Sequence, residues 1–432
     1  MRKRLKFGLI AAFWALSTPV SVNLAQPLSP SSSEPNTNAA AEPRNTSDRS
    51  SYVSVKDFTK CDGVGDDYDG LQLAAKSAAG RLLRFPDEPT VVCQISHPVL
   101  LTSGTTVRGA AILKPTPDNR SNPMLIKFAN GAANITIQGL TIDGNGRDFP
   151  NTNDVVRAFG GDHLVVENVK FQHIRGVAFA ALSVVTNSGV RKSKFTDIGN
   201  HWKTSRLTAD RKAAIVFCCD PTESSHGNFA ADNTLSDIGL DAMSVGNQND
   251  FLASGNICRL SDGQLSARWE DPQPTAFPAC IFANHGNAIT VVDNVISDAQ
   301  GNGIDLVAFT DRMIAGNQVT GSGGAGIGVF TSGNAYIKGN TVKNNSRWRL
   351  STFTGGIAFN GKLGTVVLID NVSMTKGRRH NALVSWPSKA RFLEISRSMQ
   401  ATDSVGMPSV PSVAVCHSAR HRRKPARDKP SG

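Results

Sequence analysis

An asparagine recurs every 23 residues in the second half of this chain. It stands in Asp293-Asn294-Val295, in Gly316-Asn317 and in Gly339-Asn340, each time after a small or acidic residue and before a short apolar run. A second register keeps the same step through Ile281-Phe282-Ala283, Ile304-Asp305-Leu306 and Ile327-Gly328-Val329. A period of about 20 to 25 residues with two or three short strands per repeat points to a β-solenoid, in which each repeat is one turn of a coil. The asparagine is expected at the sharp bend between strands, because Asn tolerates the left-handed backbone and bonds its own backbone.

Both registers extend along the chain. Asn168, Asn233, Asn256, Asn294, Asn317, Asn340 and Asn371 form the bend series, with Gly139 and Ser193 filling the same place. Apolar pairs recur at Val156/Ala158, Val177/Phe179, Ile215/Phe217, Leu240/Ala242, Ile281/Ala283, Ile304/Leu306, Ile327/Val329 and Ile357/Phe359. Alternate residues of a strand face opposite sides. These pairs should therefore stack inside the coil, and the residues between them should point outward. A β-sandwich would not require a turn asparagine at a constant phase.

The flanks have other compositions. Residues 1–25 read as a signal peptide: Arg2, Lys3, Arg4 and Lys6 precede the apolar Phe7 to Leu16, and Ala25 is a small residue for cleavage. The mature chain is expected to be secreted or periplasmic and to carry no integral membrane span. Residues 26–50, rich in Ser, Pro, Asn, Thr and Ala, read as a disordered linker. Residues 51–388 form the solenoid with its cap, and residues 389–432 a basic, disordered tail. The net charge of +11 is concentrated at the ends. The leader contributes four positive charges and the segment from His417 a net five, which leaves two for the body. A nucleic-acid partner is therefore not expected. Seven cysteines in an exported chain permit disulfides. Cys61 and Cys93 flank the first helix and are one candidate pair, while the remaining connectivity stays open. No Cys/His spacing suggests zinc.

From Val53 to Ile112 the pattern changes. Asp69 to Ala79 places Leu71, Ala74, Ala75 and Ala78 at helical spacing, and Gly80 ends it. A solenoid exposes its apolar interior at its ends, so this helix is the expected cap. The segment Val55-Lys-Asp-Phe, Asp62-Gly-Val, Asp66-Asp67, Leu71 with Ala74-Ala75, and Phe85-Pro86 resembles the N-terminal region of the pectate-lyase-like superfamily. That resemblance covers about residues 52 to 375. It implies an all-β, right-handed parallel β-helix of about ten coils with an N-terminal capping helix. It also implies a polysaccharide-related role. Thr59-Lys60-Cys61 departs from the Gly-containing turn more usual in that family. No polygalacturonase signature, pectate-lyase motif or Asp-Pro-His-Asp of the alginate epimerases is present, so the resemblance leaves the reaction open.

Outward positions on the first strand of each coil are mostly small or apolar, and Asp241 and Asp305 stand out. At one phase and two coils apart they should lie about 10 Å from one another. That separation suits a carboxyl pair in which one group donates a proton and the other activates water. In a lyase such carboxylates would instead hold a divalent cation such as Ca2+ against a uronate. Each aspartate alone is equally well read as a solvated surface residue. His285 follows the strand of the intervening coil and is a candidate general acid or base. Long insertions carry Trp202 with Lys203 and Arg206, Trp269 beside Arg268, and Trp348 with Arg349. Aromatic rings stack on sugar faces and Arg forks bind carboxylates, so these are candidate contacts to an acidic polysaccharide. Each Trp could equally fold its own loop onto the coil. The expectation is a lyase or glycoside hydrolase acting on an acidic glycan, with a non-catalytic glycan-binding or adhesin-like β-helix as the alternative. Oligomeric state is not legible.

Overall fold

The computed structural model describes residues 51–117, 124–146, 154–199, 213–220, 222, 225–260, 278–346 and 355–374. It adds short strands at Leu383–Ser385, Arg391–Ile395 and Val413–Ala414. The described chain winds into a parallel β-helix whose coils present three faces. Long strands such as Ile281–Val292, Ile304–Ala315, Ile327–Lys338 and Ile357–Ile369 supply the first two faces and turn a corner between them. These faces merge into one 20-stranded sheet, and the third face is a separate 12-stranded sheet with one strand per coil. Coil pairing runs on to Arg391–Ile395, which lies parallel to Thr365–Ile369. It therefore passes residue 388, where basic composition had suggested a tail.

The register along the first face is set by backbone pairing. Val156, Phe179, Ile215, Met243, Ile281, Ile304, Ile327 and Ile357 stand in one inward column. Two of the expected pairs are thereby corrected. The buried pair of the second coil is Phe179/Ala181, not Val177/Phe179, and that of the fourth is Met243/Val245, not Leu240/Ala242. Apolar columns fill the interior, and ring stacking adds to them. Phe171 and Phe195 lie parallel with centroids 4.7 Å apart, and Phe217 meets Phe251 edge-on at 5.3 Å.

The corner between the second and third faces corrects the reason given for the asparagines. The left-handed backbone belongs to the residue before each one: Asp232, Gly255, Asp293, Gly316, Gly339 and Asp370 all have φ between 51° and 66°. Gly139 and Asn168 fall in this left-handed column, one position from where the sequence had placed them. Ser193 and the later asparagines point inward instead. Asn233, Asn256, Asn294, Asn317 and Asn340 are fully buried. Each Asn amide donates to the side-chain oxygen of the next, from Asn233 through Asn256, Asn294, Asn317 and Asn340 to Asn371. Each oxygen also accepts the backbone N–H of the preceding Asn, as Asn317 does from Asn294 at 3.0 Å. A buried amide satisfied on both sides rigidifies the corner, where an unpaired one would be costly.

The N-terminal helix Tyr68–Ser77 buries Leu71, Ala74 and Ala75 against the first coils, and Gln72 accepts the N–H of Leu100 at 3.0 Å. The disulfide Cys61–Cys93 ties its approach to the third face. No helix among the described residues is long and apolar enough to cross a membrane.

Candidate functional site

The corner that leads from the third face into the first has its own side-chain column: Asp241, Ala279, Asn302 and Ala325. Each lies two residues before an aligned inward residue of the first face. In alternate coils its polar member caps the next coil. Asp241 Oδ1 accepts the N–H of Ala279 at 2.8 Å, and Asn302 Oδ1 accepts that of Ala325 at 2.8 Å. The amide of Asn302 then turns to Asp305 and donates to its Oδ2 at 3.0 Å. Asp305 is the outward residue next in line, paired with Phe282 on one side and Gly328 on the other. The ring of Phe330 covers Gly328 closely, since a Cβ there would lie 2.4 Å from it. Two aromatic side chains therefore flank the Asp305 carboxyl along the face.

Asp241 is not in one column with Asp305, as the sequence had suggested. It sits at the corner, three positions earlier in the register, while the outward residue of its coil is Ser244. The two carboxyls still face one another electrostatically. Burial pushes Asp241 up to about 7, against the lowering effect of the Ala279 N–H, and the nearby charge of Asp305 raises it further. Burial pushes Asp305 up to about 6, with the Asn302 amide opposing it. Asp305 Oδ1 is sealed from water and has no hydrogen-bond partner among the described residues. A corner that needs only an acceptor is served by a neutral amide, as Asn302 shows one coil later. An aspartate in that place costs desolvation that an asparagine avoids. Strongly raised carboxyls with a specific charge neighbour are a signature of functional sites.

His285 is not brought to this pair. It is exposed, takes a left-handed backbone with φ 58° at the bend between the first and second faces, and lies three residues beyond Phe282. That places it about 10 Å along the strand from Asp305's level. Trp202, Lys203, Arg206, Trp269, Trp348 and Arg349 lie outside the described residues. The disulfide Cys258–Cys280 closes the base of the insertion that carries Trp269, and Cys280 is adjacent to Ala279, the partner of Asp241. Sequence reasoning missed both Asn302 and this bond. The 23-residue step from Asn302 to Ala325 was the available signal for the first. A further disulfide joins the neighbours Cys218 and Cys219 at the end of the first-face strand.

Among the described residues the pair does not make up a Ca2+ site. Of its four carboxyl oxygens one is taken by Ala279 and one by Asn302, which leaves far fewer than the roughly six to eight oxygens Ca2+ requires. The closest cluster of ligand types among the described residues, Cys61, Asp67 and Cys93, has its sulfurs joined in a disulfide.

The coils form a right-handed parallel β-helix. The family model described as "Right handed beta helix region" matches residues 279–384. Comparison with curated proteins finds no match. Among solved structures, the A-module of the mannuronan C-5 epimerase AlgE6 of Azotobacter vinelandii is similar over 80% of this chain and 93% of its own, with 15% identity and a TM-score of 0.62. PfbA, a surface adhesin of Streptococcus pneumoniae, is similar over 85% and 99%, with 14% identity and a TM-score of 0.56. The tailspike of E. coli bacteriophage HK620, in complex with a pentasaccharide, is similar over 81% and 67%, with 15% identity and a TM-score of 0.57. At such identities the likeness is one of fold.

Proposed function

We propose that this chain is an exported polysaccharide-active enzyme, a lyase or glycoside hydrolase, that acts on an acidic glycan at the Asp241–Asp305 corner. The carboxyl pair, Asp241 buried and Asp305 half-buried, pushed to about 7 and about 6, carries this reading. At neutral pH one member retains a proton while the other is ionised. Asp241, the more raised, donates its proton to the departing glycosidic oxygen. Asp305, held by Asn302, is the base. In a hydrolase it takes a proton from water as water attacks the anomeric carbon. In a lyase it takes the C5 proton of a uronate as the bond to the leaving oxygen breaks. Phe282 and Phe330 supply an apolar floor against which a ring can lie. The Trp, Lys and Arg residues of the insertions stay in the proposal as contacts to sugar rings and carboxylates.

The mannuronan epimerase and the oligosaccharide-bound tailspike support a glycan as ligand. The three disulfides support an oxidising, extracytoplasmic location. A non-catalytic glycan-binding role is favoured by the exposed, distant position of His285 and by the adhesin's use of the same fold. A panel of acidic polysaccharides separates the readings. Release of unsaturated uronate marks a lyase, and new reducing ends without it mark a hydrolase. Retention of glycan with no turnover, unchanged in the Asp241→Asn/Asp305→Asn double variant, leaves only binding.

A further inference from the structure

The second face carries a groove of about 310 Å3 that the acid pair does not touch. Two outward columns form it. Thr290, Met313, Tyr336 and Val367 stand in register across four coils. Two residues earlier on their strands, Ala288, Asp311 and Asn334 also stand in register. Asn334 donates to Asp311 Oδ1 at 3.0 Å and accepts the N–H of Thr365 at 2.9 Å, which fixes the orientation of its amide.

The groove is therefore divided lengthwise. One wall presents Met313 at 44% and Tyr336 at 36% exposure, and the other presents a carboxylate and an amide. Columns two residues apart on a strand are separated by about 6.6 Å, comparable to one pyranose ring with its hydroxyls. A volume near 310 Å3 is at the small end for ligand sites. The charge of the ligand follows from Arg312, the one cation among the described residues that line the groove. Arg312 is 2% exposed, and its guanidinium turns inward to the carbonyls of Phe330 at 3.0 Å and Asn334 at 3.4 Å. Among the described residues that line the groove, the charge left facing it is the Asp311 carboxylate, which repels a uronate.

We infer that this groove binds a neutral pyranose unit, with the ring's apolar face on Tyr336 and Met313 and its hydroxyls on Asp311 and Asn334. It is a binding site separate from the acid pair on the first face and does not rest on the reaction proposed there. Such a site would let the chain hold a neutral sugar of a mixed polymer, or of a surface, while the first face works on an acidic one.

The test is titration of the full chain by NMR or calorimetry with glucose, galactose, mannose and N-acetylglucosamine, and with glucuronate and galacturonate as charged controls. Saturable binding of at least one neutral sugar is expected, with the uronates weaker. Tyr336→Ala and Asp311→Ala should each lower affinity roughly tenfold or more. Met313→Glu, which alters an exposed side chain and spares the core, should abolish binding. The Asp241→Asn/Asp305→Asn double variant should bind the neutral sugar as the parent does, whatever its effect on turnover. The inference is overturned if no neutral sugar saturates, if uronates bind equally well, or if the variants leave affinity unchanged. It is also overturned if the patch drives self-association that Met313→Glu removes, which would make it a protein interface.

Discussion

Asp241 and Asn302 occupy equivalent corner positions and perform the same capping bond, yet one carries a charge. For Asp241 the linkage has a definite sign. Its folded pKa of about 7 lies above the unfolded value near 4, so the folded state holds the proton more tightly. Its contribution to stability is thus most favourable below about pH 4 and is lost as pH rises through 7. Asp241→Asn keeps an acceptor for Ala279 and removes that dependence. The variant should gain on the parent as pH rises from about 4 to about 7, by up to about 4 kcal/mol, in denaturation followed across that range. Stabilisation that does not change with pH would contradict the burial. The proposed reaction rests on the same two groups. If Asp305 must be ionised and Asp241 protonated, kcat/KM should be bell-shaped with limbs near 6 and near 7, values that belong to the coupled pair. Asp305→Asn should lower turnover by roughly 10²- to 10⁴-fold with the fold intact by circular dichroism.

The internal asparagine ladder is where element-scale stability is tested. Asn317 accepts from Asn294 and donates to Asn340 and to the carbonyl of Val291. Asn317→Ala strips partners from all three and leaves a void, a loss of about 2–4 kcal/mol in denaturant unfolding. Gly339, in the adjacent left-handed column with no atom near its missing Cβ, should accept Ala for about 1 kcal/mol. Comparable losses at the two positions would show that the bend, not the amide chain, holds the corner. This element also shows how far sequence reached. The 23-residue step identified the ladder, but an Asn beside a Gly or Asp does not reveal which of the two turns left-handed. Leu240-Asp241-Ala242 and Met243-Ser244-Val245 both satisfy an apolar–polar–apolar pattern. Only the pairing of Met243 with Ile281 decides between them, so Asp241 was assigned to the strand when it belongs to the corner. What was legible of Asp241 and Asp305 was their charge among small apolar neighbours. The role of Asn302 was not, because it depends on a bond to a residue three places on.

At the scale of the whole molecule, a stack of coils shares each load with its neighbours, and insertions are tolerated at the corner before the first face. The disulfide Cys258–Cys280 joins the two ends of one of these insertions, and Cys280 is the neighbour of Ala279, which bonds Asp241. Cys258→Ser/Cys280→Ser should lower stability by about 3 kcal/mol in urea unfolding. It should also lower turnover more than Cys61→Ser/Cys93→Ser, whose bond lies at the far capped end. Equal effects of the two variants on turnover would detach the insertion from the site. The most direct check is a carbon-13 NMR titration of the aspartate carboxyls, assigned through Asp241→Asn and Asp305→Asn. The account expects two carboxyls titrating near 7 and near 6, each shifting when the other is replaced. Two carboxyls that titrate independently near 4 would contradict it.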